Sequence, residues 1–138
     1  MRSPIVLALI ALTLSATFAA EDAPKVQRQK PKMVAATDED MWHYYFYGSR
    51  MFCNMLNTTL FGITEDQILD SITNAFVKAI RNGHDGQIAA VTGPPMDNIH
   101  IYHGLSTHII KGADRLCHDL IPVKLMMRFK RQWNKAEL

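Results

Sequence analysis

Chemistry-bearing motifs are scarce in these 138 residues. Cysteine occurs only at Cys53 and Cys117, with no C-x-x-C spacing, which excludes a thioredoxin-like redox motif. Beyond residue 20 the only serines are Ser49, Ser71 and Ser106, and none stands in the G-x-S-x-G setting of a hydrolase nucleophile. A glycine-rich phosphate loop and an H-E-x-x-H zinc motif are both missing. No run reaches the roughly eighteen apolar residues of a membrane helix. Charge of one sign is not in excess: once Arg2 is set aside, fourteen basic side chains face thirteen acidic ones, which does not suggest a nucleic-acid binder.

What is present starts at the N-terminus. "MRSPIVLALIALTLSATFAA" has Arg2 as a short basic region, an apolar run of about ten residues and a T-x-A pattern at Thr17 and Ala19. That order is the form of a secretory signal peptide, expected over 1–19. Residues 20–36, with Pro24 and Pro31 and the bases of "KVQRQKPK", lack apolar periodicity and are expected to be a disordered basic arm. In an oxidising route two cysteines imply one disulfide, Cys53–Cys117.

Residues 37–138 read as a single helical domain. The fold class expected is mainly α, a small bundle of about four helices with one disulfide. "TDED" from Thr37 and "TEDQ" from Thr64 have the form of capping boxes. The first opens a helix with Met41, Tyr45, Phe52, Met55 and Leu56 at helical spacing; its aromatic run "WHYYFYG" is expected in the core, with tyrosine hydroxyls at the surface. The second opens a helix with Ile68, Ile72, Phe76, Ala79 and Ile80 on one stripe, ended by Gly83. "HDGQIAAVTGPPMDN" breaks the period. A short β-hairpin over about 87–103, pairing "QIAAVT" with "NIHIYH", and an irregular loop both fit it. The next helix is expected near Ser106, burying Leu105, Ile109, Ala113, Leu116 and Leu120. A final helix follows Pro122. "GSRMFC" and "GADRLC" both place Gly five residues before Cys, as expected if two helices bring similar faces to one disulfide.

"IHIYHGLSTH" holds three of the six histidines. As a strand it would send His100 and His103 to opposite faces, and no nearby Asp or Glu completes a facial ligand set. These two are weak metal candidates, and neither metal nor cofactor is expected. Asn57-Thr58-Thr59 is an N-glycosylation sequon. The stretch "ITEDQILDSITNAFVKAIRNG…PPMDNIHIYHGLS" loosely resembles the opening of insect juvenile-hormone-binding and takeout-like carriers, in which a helix leads through a proline-rich turn to a strand. Carriers of that kind need a long β-wrap, which this chain is too short to supply.

The function expected is that of a secreted, non-enzymatic extracellular protein, an interaction or small apolar ligand-carrier module with no catalytic residue. Its partner would be an extracellular protein or a small apolar ligand, in a pocket built from Trp42, Tyr45, Phe46, Phe52, Ile72 and Phe76. The methionines and aromatics suit such a pocket. The alternative is a membrane-associating or membrane-active protein. It would act through the amphipathic C-terminal helix, with Lys124, Arg128, Phe129, Arg131 and Trp133 as the contacting face.

Overall fold

Reciprocal capping sets where the first two helices start. In the computed structural model, which describes residues 32–58 and 62–136, Thr37 accepts the Asp40 N–H at 3.1 Å while the Asp40 carboxylate accepts the Thr37 N–H at 2.8 Å. The same exchange links Thr64 and Gln67. These pairs satisfy N–H groups that a helix start leaves without intrahelical partners. They open α1 (Asp38–Asn57) and α2 (Glu65–His84). α3 (Asn98–Cys117), a 3₁₀ turn at His118–Leu120 and α4 (Val123–Ala136) complete the order. The described residues are mainly helical, with four α-helices and no strand. The signal peptide expected over 1–19 lies outside them, as does the arm up to residue 31.

α3 starts earlier than the sequence suggests. Its cap is Asp97, whose carboxylate accepts the His100 N–H at 2.8 Å, not Ser106. The expected strand at 98–103, in the hairpin and in the carrier-like resemblance alike, is therefore helix. The alternation of Ile99 and Ile101 misleads because only Ile101 is buried, Ile99 being 66% exposed. Ile101, Leu105, Ile109 and Ala113 instead form one stripe of helical period. Leu116 and Leu120, expected on it, are exposed; Leu120 lies in the 3₁₀ turn after Cys117, where the helical phase is lost.

α1 and α3 pack side by side in the same sense at a nearly constant offset. Tyr45 meets His108, Ser49 meets the Ile109 carbonyl, and Cys53 is bonded to Cys117 with Cα atoms 5.9 Å apart. This register explains the repeated Gly–Cys spacing: Gly48 and Gly112 lie five residues before the disulfide on each helix, where an added Cβ would collide with a side chain of the facing helix. α2 returns antiparallel across both, and Ile68, Leu69, Ile72, Val77 and Ile80 join Phe52, Leu105 and Ile109 in the core. α4 buries Leu125, Met126 and Phe129 against it. Covering three such side chains is worth roughly 5–9 kcal/mol as an upper figure. Arg128 adds a 2.5 Å ion pair to Asp66.

The loop from Asp85 to Asp97 is irregular, and Arg81 anchors it. Its guanidinium donates to the Met96 carbonyl at 2.6 Å, the Asp85 carbonyl at 3.2 Å and the Asn98 side chain at 2.8 and 3.0 Å. α2 does not end at Gly83, as expected, but runs to His84. Asp85 (φ 52°) and Gly86 (φ 72°) make the left-handed turn. A Cβ at Gly86 would lie 2.7 Å from the Arg81 Cζ and 2.9 Å from the Met96 carbonyl oxygen.

The last residues of the expected arm are not free. Ala36 is fully buried and exchanges backbone hydrogen bonds with Gln87 and Ala89, both at 2.8 Å. The Val34 carbonyl accepts from His84 Nδ1 at 2.9 Å, and this fixes the tautomer: Nε2 is left to accept from the Tyr44 hydroxyl at 3.3 Å. Buried backbone groups need partners, and the 85–97 loop offers them.

Candidate functional site

The aromatic run lies only partly against the core: Tyr44 and Tyr45 pack on it half-buried. On α1 only Met41, Gly48, Ser49 and Phe52 are buried. Trp42 is 55% exposed and Tyr47 is exposed as well. Seven bulky residues in a row wrap the whole circumference of a helix, and α2 and α3 cover only part of it. Trp42 stacks on Phe46 with ring centroids 4.9 Å apart, Tyr45 stacks on His108 at 4.3 Å, and Arg50 lies over Phe46.

Two grooves flank this aromatic ridge, and Trp42 and Tyr45 line both. The first, about 450 Å³, lies between α1, the start of α3 and the 88–96 loop. Met41, Ile101 and Leu105 are its buried lining, Ile88, Val91 and Met96 come from the loop, and Asp38 and His100 are its polar members. Volumes of this size lie within the range of small-molecule pockets. The Tyr45 hydroxyl has no hydrogen-bond partner among the described residues. Burial, reinforced by the Asp38 charge, pushes its pKa up, so it keeps its proton at neutral pH. The second groove, about 310 Å³, runs between α1 and the second half of α3, from Phe46 and Ser49 to His108, Lys111, Gly112, Arg115 and Leu116.

The expected pocket is thus displaced. Trp42, Tyr45 and Phe46 line open space, but Phe52 and Ile72 are buried in the core and Phe76 packs half-buried against it. Core side chains fill the α1–α2 side, and the open space lies on the α1–α3 side. Lys111 and Arg115 join the open space from α3, and their signal in the sequence is a four-residue spacing on one helix with Leu116 beside them. Met96 and Ile88 had none, since their role depends on the loop folding back under Arg81.

His100 and His103 share one helix three residues apart, where a strand would have parted them. His100 is engaged by Asp97, with Nδ1 2.7 Å from the carboxylate, so an acid does stand beside the stretch. No group of three metal-ligating side chains is found among the described residues. Asp70 accepts from the Tyr102 hydroxyl, whose pKa is pushed up to about 12, first by burial and then by that carboxylate. Beside the Arg128–Asp66 pair, this is a polar tie between helices.

Asn57 ends α1 and is exposed, with Thr58 bonded back to the Asn54 carbonyl at 2.9 Å; Thr59 lies outside the described residues. On α4, Phe129 is buried and Trp133 half-buried, with Lys111 over its ring at 5.3 Å. Lys124, Arg128 and Arg131 are exposed, beside Val123 and Met127.

Residues 39–137 match the model of a family described as a domain of unknown function (DUF8650). No curated protein and no solved structure matches the chain. The match spans all four helices and both grooves, and the chain belongs to the DUF8650 family.

Proposed function

We propose that this chain is a secreted, non-enzymatic binding protein that carries a small apolar molecule in the first groove. The N-terminal twenty residues and the Cys53–Cys117 bond support secretion. The observation that carries the ligand reading is the apolar groove of about 450 Å³ beside an exposed, stacked tryptophan. An exposed indole beside an apolar cleft is a surface that a ligand would desolvate. Native mass spectrometry and organic extraction of the secreted protein should release an apolar compound in stoichiometric amount. The neutral probe N-phenyl-1-naphthylamine should bind to the emptied protein. Gly104 lines this groove and a Cβ there meets no atom within 4 Å, so Gly104→Trp fills the space without disturbing a neighbour's backbone and should abolish probe binding. An empty extract together with no probe binding would favour a protein-interaction module instead. The exposed sequon at Asn57 accords with a glycoprotein, which the same spectrum reads as added mass.

A second reading rests on α4. Val123 and Met127 are among its exposed apolar side chains, with Lys124, Lys130 and Arg131 beside them. That outer face suits an anionic membrane surface, with Phe129 and Trp133 kept on the domain. Sedimentation with phosphatidylserine vesicles at low salt, lost in Val123→Asp/Met127→Asp, would support it. Equal recovery with and without vesicles would end it.

A further inference from the structure

We infer that the second groove is a binding site for a small organic acid, its anionic group held by Lys111 and Arg115 and its apolar body laid against Trp42, Phe46 and Leu116. The inference goes beyond the carrier reading and does not require the first groove to be filled. Three observations meet here. Trp42 and Phe46 present stacked rings, and Leu116 is 53% exposed facing the same groove, so two apolar surfaces are held apart with open space between them. The charged residues that line this groove are basic: Lys111 and Arg115 from successive turns of α3, with His108 one turn earlier and no carboxylate among them. The nearest acid in sequence, Asp114, is engaged elsewhere, with His118 Nδ1 2.5 Å from its carboxylate. Lys111 lines the groove with its ammonium over the Trp133 ring at 5.3 Å, and Arg115 makes no ion pair with an acid among the described residues. Two cations in a groove that no carboxylate lines, next to an aromatic wall, complement an anion that carries a flat or aliphatic body. The floor is rigid: Gly112 is pressed on Ser49, whose hydroxyl is 2.7 Å from the Tyr45 carbonyl and 2.9 Å from that of Ile109. The site is therefore formed before any ligand arrives.

The test compares 1-naphthylacetate with 1-naphthylacetamide by titration calorimetry on the full secreted chain. The two share a ring system and differ in charge. At about 50 mM salt the acid should bind about ten-fold tighter than the amide, and the gap should shrink to about two-fold or less near 1 M salt, where exposed charges are screened. Lys111→Gln/Arg115→Gln should close the gap at low salt while leaving amide affinity within about two-fold, since the neutral amide has no charge for the lost cations to attract. Gly104→Trp, which fills the first groove, should leave the preference for the acid intact. Equal binding of acid and amide, binding of neither, or a preference that survives the double substitution would overturn the proposal. Loss of the preference in Gly104→Trp would place the anion in the first groove and overturn it as well. Because the salt comparison uses the unaltered protein, it holds even if the double variant folds poorly.

Discussion

Replacing both Cys53 and Cys117 with alanine should lower the stability of the fold by about 4 kcal/mol. The bond closes a loop across a sequence separation of 64 residues, and in the chain-entropy treatment a loop of that length restricts the unfolded chain by about that amount. For a domain of about 100 residues this corresponds to a fall in melting temperature of about 20 °C. The effect on the native side should be small, because both cysteines are only partly buried and the alanines leave modest voids. What is lost is the tie between the C-terminal ends of α1 and α3. Thermal melts of the unaltered protein with and without a reductant should show the same fall, since reduction removes the bond without changing a residue. A melting point unchanged by reductant would show that α1 and α3 are held by packing alone. The ligand face is built from the same two helices, so probe binding in both grooves should weaken along with the melt.

The parts of this fold legible in the sequence are those set by local chemistry. Thr37 with Asp40 and Thr64 with Gln67 are capping boxes in the sequence and in space, because the partners lie three residues apart and need nothing else. The disulfide was legible too, since compartment and number left one pairing. The α4 stripe of Leu125, Met126 and Phe129 follows from period alone. The errors came where a tertiary contact decides. Ile99 and Ile101 alternate as a strand would, yet Asp97 caps a helix and only one of the two isoleucines finds the core. Ala36 sits at the end of a polar, proline-containing stretch, yet the 85–97 loop supplies its hydrogen bonds. The aromatic run carries enough apolar surface for a core, but a core needs neighbours on every side, and α1 has them on part of its circumference only. That shortfall leaves Trp42 and Tyr47 exposed and Phe46 half-buried, and makes the grooves.

Gly112→Ala should destabilise the protein by about 2–3 kcal/mol, while Gly104→Ala, eight residues earlier in the same helix, should stabilise it by up to about 1 kcal/mol. Intrinsic helix propensity treats the two alike: alanine is favoured over glycine in a helix interior by about 1 kcal/mol at either site. Packing separates them. A Cβ built at Gly104 meets no heavy atom within 4 Å, so the propensity gain stands alone. A Cβ built at Gly112 would fall on the Ser49 hydroxyl and come within 2.9 Å of the Ser49 Cβ. The Ser49 Cβ is fixed to the α1 backbone and cannot swing aside, so α1 and α3 must separate or Ser49 must give up the hydrogen bond that its one hydroxyl proton shares between the Tyr45 and Ile109 carbonyls. Overpacking of that kind costs about 1–3 kcal/mol, and a buried hydroxyl left without a partner adds about 1–3 kcal/mol, before the propensity gain is set against them. Gly48 makes the same close approach from the other helix. There the added atom would meet the Ile109 Cγ1 and Cδ1 at 2.7 and 2.8 Å and the Phe76 Cε2 at 3.2 Å; these are atoms of packed side chains rather than a Cβ fixed to the backbone, and Gly48→Ala should be destabilising too, by less than Gly112→Ala. Urea unfolding of the three single variants measures the order directly. A second substitution identifies the cause: Ser49→Gly removes the obstructing Cβ, so it should recover part of the Gly112→Ala loss while being destabilising on its own. If Gly112→Ala and Gly104→Ala shift the midpoint equally and in the same direction, the close approach of α1 and α3 at Ser49 does not exist in solution, and the floor of the second groove goes with it.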